Sequence, residues 1–210
     1  MLKVARLILE RFVKQLTISL FFSAMFVFSI SLFFKNDLDL VIALVNKINI
    51  KEVTKENNNV TIDKVEKRLI SYPAYGQIWG TLSLPSINRE LNIYNGDSLD
   101  ILKYGVGRYL GSYYPGEGGT IVIAGHNSRQ HFMYLPKMKK NDDIIIKTSY
   151  GTFTYKIKST RIIHQSNEAA LEVDRNQERL ILYTCYPTYT LGLKSERYVI
   201  YADLVGEVYE

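Results

Sequence analysis

The run Arg179-Leu-Ile-Leu-Tyr-Thr-Cys-Tyr-Pro187 decides how the rest of this 210-residue chain is read. Residues 179–184 are rich in β-forming side chains and the run stops at a proline, which predicts a buried strand with Cys185 at its carboxyl end. Cys185 is the only cysteine, so no intramolecular disulfide is available to it. A thiol placed where a strand opens into a loop is a candidate nucleophile. The bland alternative is a small buried core residue, the commoner fate of a lone cysteine, and other parts of the chain must overturn it.

Moving outward, residues 120–124 (Thr-Ile-Val-Ile-Ala) form a second apolar run that opens into Gly125-His126-Asn127. Further runs of strand character cover 78–84, 91–94, 143–149, 152–158, 161–164 and 198–205, several of them alternating apolar and polar residues. Tyr150-Gly151 joins two of these as a tight hairpin. Helical pieces are few: 98–104, the neighbourhood of 132–135, and 168–171. Eight short strands with sparse helix predict an all-β fold, an eight-stranded closed barrel that leaves no exposed edge.

The amino-terminal arm has a different character. Residues 16–34 carry no charge, and as a helix they would extend about 28 Å, close to the thickness of a bilayer core. The run ends in Leu32-Phe33-Phe34-Lys35 without a small-residue cleavage pattern, so it reads as an uncleaved transmembrane anchor. Lys3, Arg6, Arg11 and Lys14 precede it, a bias that puts the amino terminus in the cytoplasm and the remainder outside the cell. The chain then divides into a cytoplasmic segment 1–14, an anchor 15–35, an extracellular stalk and linker 36–71, and a barrel domain 72–210. Within the stalk, 61–70 has the apolar spacing of a short amphipathic helix. The formal net charge of +5 is concentrated in the arm, where four basic residues face Glu10 alone. The rest is nearly balanced, so no nucleic-acid footprint is present.

Two further residues bear on Cys185. His126 follows its strand as Cys185 follows its own, and a histidine and a cysteine at equivalent strand ends can meet across a barrel rim as acid/base and nucleophile. Arg197, at the start of the last strand, carries a permanent charge and several donors suited to a developing oxyanion. Its bland alternative is a surface arginine paired with Glu196 or Asp203. His131 and His164 have weaker claims. Asp142, Asp143 and Glu117 form no recognisable cation loop, so neither a metal nor another cofactor is expected.

Taken together, Ile123-Ala-Gly-His126, Leu182-Tyr-Thr-Cys185 and Arg197, in that order in an anchored all-β extracellular domain, resemble a sortase. The resemblance covers about 78–205 and includes Pro115-Gly-Glu-Gly-Gly119 ahead of the histidine strand. It implies an eight-stranded barrel and a cysteine transpeptidase of Gram-positive bacteria, with Cys185 as nucleophile, His126 as acid/base, Arg197 as transition-state stabiliser, and Thr184 and Tyr186 as substrate-binding neighbours. The usual family run T-L-x-T-C is matched only in its Leu-x-Thr-Cys part. Tyr186-Pro187, the single anchor and the short link from His164 to Arg179 resemble class D, with a class A-like enzyme next. The implied reaction cleaves an LPxTG-like sorting signal between Thr and Gly through a thioester and passes the surface protein to an amine of the peptidoglycan precursor lipid II. Two rivals remain at this point. One is a non-catalytic extracellular peptide- or glycan-binding module that uses the sixteen tyrosines; the other is an L,D-transpeptidase, whose cysteine typically follows His-Gly.

Overall fold

The computed structural model describes residues 2–33, 60–63, 66, 68–190 and 192–209. The expected stalk over 36–59 lies outside these residues. The chain divides into two units, Met1–Asn46 and Lys47–Glu210. The first holds α1 (Leu2–Phe33), whose segment Glu10–Ile30 is long and apolar enough to cross a membrane and has none of its side chains buried.

In the second unit eight strands close a barrel: β3 (Ile78–Leu84), β4 (Arg89–Asn95), β5 (Val106–Arg108), β6 (Thr120–Ala124), β7 (Asp143–Thr148), β8 (Gly151–His164), β9 (Arg179–Tyr186) and β10 (Glu196–Tyr209). Around the barrel they run β10-β8-β7-β3-β4-β5-β6-β9. The pairs β4–β5 and β6–β9 are parallel and the others antiparallel. The number of strands is as expected, but two of its members differ. Segments 152–158 and 161–164 are one strand, because Ser159 and Thr160 stay paired to Tyr201 and Ile200 of β10 across a bulge. The missing strand is β5, only three residues long and held between β4 and β6.

The alternation along each strand sorts side chains into two layers. Ile121, Ile123, Leu180, Leu182, Ile200 and Ala202 point inward with Leu82, Ile93, Ile146 and Phe153 to fill the barrel. Full burial of each such aliphatic side chain contributes about 1.5–3 kcal/mol. Their neighbours Val122, Ile181, Val199 and Ile163 point outward and are covered by Ala170, Leu171 and Val173 around the 3-10 turn Glu168–Leu171. A short helix, α2 (Leu99–Leu102), capped by Ser98, lies outside β5.

The short helix expected over 61–70 is not formed. The described residues there make two-residue strands, β1 (Ile62–Asp63) and β2 (Arg68–Leu69), paired antiparallel. Asp63 accepts from Glu66 N–H at 3.0 Å, an Asx turn that closes the hairpin. Two hydrogen bonds tie this segment to the barrel: Ser149 Oγ donates to Val60 O at 2.8 Å and Leu69 N–H donates to Glu117 at 3.2 Å. Val60 and Leu69 are buried, whereas Ile70, which a helix would have turned inward, is exposed.

Candidate active site

The parallel pair β6–β9 brings the two candidate strand ends together. Ala124 is the register partner of Tyr183, and Gly125 N–H donates to Tyr183 O at 3.1 Å. His126 and Cys185 each lie two residues beyond that last pair. On the other side, β10 runs antiparallel to β9 with Arg197 directly opposite Cys185. Residues opposite each other in a ladder share a face. Cys185 belongs with Ile181 and Tyr183 to the outward row, so Cys185 and Arg197 stand side by side on the outside of the barrel wall at the carboxyl ends of β6 and β9.

Each side chain has a local reason for its place. His126 leaves β6 in a turn whose carbonyl accepts from Phe132 N–H at 2.8 Å. Phe132 is fully buried and packs so closely on Gly125 that a Cβ there would come within 2.5 Å of its ring. His131 is buried, its Nδ1 is 2.8 Å from Ser128 Oγ, and its ring centroid is 6.3 Å from that of His126. His164 is exposed and its Nδ1 lies 2.7 Å from Ser166 Oγ, at the turn after β8.

Arg197 is half-buried and donates from Nη1 to the carbonyls of Lys194 at 2.9 Å and Glu196 at 2.8 Å, and from Nη2 to Gln165 Oε1 at 3.1 Å. Among the described residues its charge is not paired with an acidic side chain. Asp203 pairs with Lys158 at 2.9 Å, and Glu196 offers Arg197 only its carbonyl. The guanidinium is held by neutral acceptors next to the thiol. Sequence reasoning missed Gln165, whose position opposite Ser195 follows from strand register alone.

Thr184 and Tyr186 alternate with Cys185 and face the other side of the wall. Thr184 is fully buried, and its hydroxyl, like Thr188 Oγ1 and Asn127 Nδ2, has no hydrogen-bond partner among the described residues. Tyr186 is half-buried against Tyr198, ring centroids 6.1 Å apart. Tyr183, one step below Cys185 on the outward row, has its phenol pushed up to about 12, first by burial and then by the charge of Asp97. Among the described residues no group of three His, Cys, Asp or Glu side chains is gathered to hold a metal ion. Asp143 instead pairs with Lys156 at 2.6 Å, and Glu117 accepts from Tyr114 N–H and Tyr72 Oη–H, both at 2.8 Å.

Comparison with known proteins decides the family. The sortase domain model matches residues 82–205, more than half of the chain. The chain belongs to the sortase family. Sortase D of Bacillus subtilis (strain 168) is 38% identical over 143 residues, covering 68% of this chain and 72% of that protein. Among solved structures, a Clostridium perfringens sortase D5 transpeptidase superposes with a TM-score of 0.58 at 25% identity, covering 64% of this sortase and 83% of that chain. The catalytic domain of B. anthracis SrtD gives a TM-score of 0.57 at 28% identity, covering 67% and 95%. This sortase is therefore a cysteine transpeptidase, most like class D. The binding-module and L,D-transpeptidase readings fall away.

Proposed function

We propose that this sortase cleaves an LPxTG-like sorting signal between Thr and Gly and transfers the acyl fragment to an amine of lipid II. Cys185 Sγ attacks the threonine carbonyl carbon. Arg197 stabilises the negative charge that develops on the carbonyl oxygen, and His126 protonates the departing glycine amine as the C–N bond breaks. The thioester that remains is opened by the incoming amine, which forms the new amide and releases the thiol. Thr184 and Tyr186 take part in substrate binding, Thr184 by shaping the wall behind the thiol rather than through an exposed hydroxyl.

The observation that carries this reading is the register: the single cysteine stands opposite an arginine whose charge is unpaired by any acid among the described residues, and one strand over from the end that bears His126. The apolar segment Glu10–Ile30 and the basic residues before it support a single-pass anchor with its amino terminus in the cytoplasm and the barrel outside.

The test is mass spectrometry of the full chain in detergent, mixed with a sorting-signal peptide library and candidate amines. A covalent adduct on Cys185 that gives way to a new amide is the expected result. Its absence with every peptide, or full transfer by Cys185→Ala, would end the proposal. Protease added to intact protoplasts should remove the barrel; protection would reverse the orientation.

A further inference from the structure

Near the thiol the outward face carries a charged group, Asp97, that the reaction above does not use. Gly96 and Asp97 follow β4 and cross directly over β5: a side chain at Gly107 would collide with Gly96 O and come within 3.1 Å of Asp97 Cα. Gly107 is the register partner of Ala124, and Ala124 of Tyr183. Across the outside of the wall there is thus a row of Asp97 above Gly107, then Ala124, then Tyr183. Two residues further along β6 and β9, about 7 Å away, stands the row of His126, Cys185 and Arg197. Asp97 acts electrostatically on Tyr183, so its carboxyl stands on the row next to that of the thiol.

Within this frame the two sides of Cys185 differ in charge. Arg197 occupies the β10 side. His126 and Asp97 occupy the β5–β6 side, the side on which protons move to and from amine nitrogen. Asp97 is half-buried and makes no salt bridge among the described residues. The cation that acts on it, Arg108, is buried and already donates to Asn95 Oδ1 at 2.9 Å and to the carbonyls of Tyr109 and Ser112. Burial holds the Asp97 carboxyl above the usual carboxylate range, and an incoming cation would offset that penalty.

We propose that Asp97 is the acceptor-binding residue of this sortase, which draws the ammonium group of the second substrate to the outward face beside His126. The inference rests on the acyl-transfer reading above. The ammonium gives one proton to neutral His126, and the amine so formed attacks the thioester carbon. As the new C–N bond forms and the C–S bond breaks, the nitrogen's second surplus proton ends on the departing sulfur, and His126 returns its own to water. Arginine on one flank and carboxylate on the other would then sort the oxyanion and the cation to opposite sides of the thiol.

The experiment compares three acceptors on the full chain in detergent with one donor peptide: a primary alkylammonium, hydroxylamine, which is uncharged at neutral pH, and water. For Asp97→Asn the apparent KM for the alkylammonium should rise about tenfold, the size expected for losing one charge-assisted contact, and the ratio of transfer to hydrolysis should fall to match. Transfer to hydroxylamine, and the rate at which donor forms the thioester, should stay within about twofold. Asp97→Glu should recover part of the loss, and melting temperatures show whether either variant is folded. An unchanged alkylammonium KM, an equal loss with hydroxylamine, or an effect confined to donor cleavage would overturn the proposal. A wild-type chain that forms no thioester removes both readings together, whereas a thioester with unaltered acceptor preference in Asp97→Asn removes this one alone.

Discussion

The two ends of the barrel use their polar groups in opposite ways. At the end where β6 and β9 begin, Glu178 accepts from Gly116 N–H at 3.1 Å, Gly118 N–H at 3.0 Å and Tyr155 Oη–H at 2.7 Å. Tyr150 Oη–H donates to Pro115 O at 3.0 Å, and the β1–β2 hairpin is bonded to Ser149 and Glu117. Two buried donors at this end, Trp79 Nε1 and Arg179 Nε, have no partner among the described residues. At the end where β6 and β9 finish, Thr184, Thr188 and Asn127 keep buried polar atoms without a partner among the described residues, and none of those residues pairs an acid with Arg197. One end is tied together through Glu178 and Glu117, the other leaves the Arg197 charge beside the thiol. That contrast follows the usual division between a stabilised scaffold and a site that trades stability for function.

The contrast breaks most visibly at Arg197. Arg197→Ala should lower kcat by about 10²–10³ while the melting temperature stays near that of the parent, because only neutral acceptors lose their donor. Arg197→Lys should recover part of that loss, since a point charge does not reproduce the fork. Steady-state kinetics beside thermal melts check it, and near-normal turnover in a folded alanine variant would remove Arg197 from the site.

The opposite end should respond in the opposite sense. Glu178→Ala leaves three donors without their acceptor and should destabilise the barrel by about 2–3 kcal/mol, with activity per folded molecule unchanged. Urea unfolding reads the first quantity and active-site titration the second. A pH dependence goes with it. Burial raises the Glu178 carboxyl above its ordinary value, outweighing the three hydrogen bonds that favour the charged form. A carboxyl raised in the folded state binds its proton more tightly there than in the unfolded chain, so its contribution is fully present below the unfolded value of about 4.3 and is lost as pH rises through the higher folded one. The stability of the parent minus that of Glu178→Gln should therefore fall as pH rises through that window. A difference that grows with pH would mean that the hydrogen bonds win.

The smallest effect belongs to Thr184. Thr184→Val keeps the volume and removes a buried hydroxyl without a partner among the described residues, so stability should change by less than about 1 kcal/mol, toward greater stability. A marked rise in the donor's KM in this variant would show that the hydroxyl is kept for the substrate.

Much of this was legible along the chain. The apolar runs ending at His126 and Cys185 depend on strand propensity and punctuation, which are local, and the length and lack of charge of the amino-terminal run are local too. Two expectations failed where neighbours override local preference. Val106–Arg108 is too short to read as a strand and exists because β4 and β6 flank it. Residues 61–70 have helical spacing, but Ile70 N–H pairs across to Thr61 O and Leu69 N–H finds Glu117, partners that a helix would forgo.

By itself, then, the sequence determined a membrane-length helix followed by an all-β domain, and it singled out the cysteine, histidine and arginine by residue type and chain order. Only the tertiary structure decided that Arg197 stands opposite Cys185, that Gln165 holds it, and that Asp97 crosses over Gly107 on the same outward face. Those facts depend on register and on the closing of a sheet whose neighbours are far apart in the chain. A one-residue slip would turn each of these side chains to the other side of the wall.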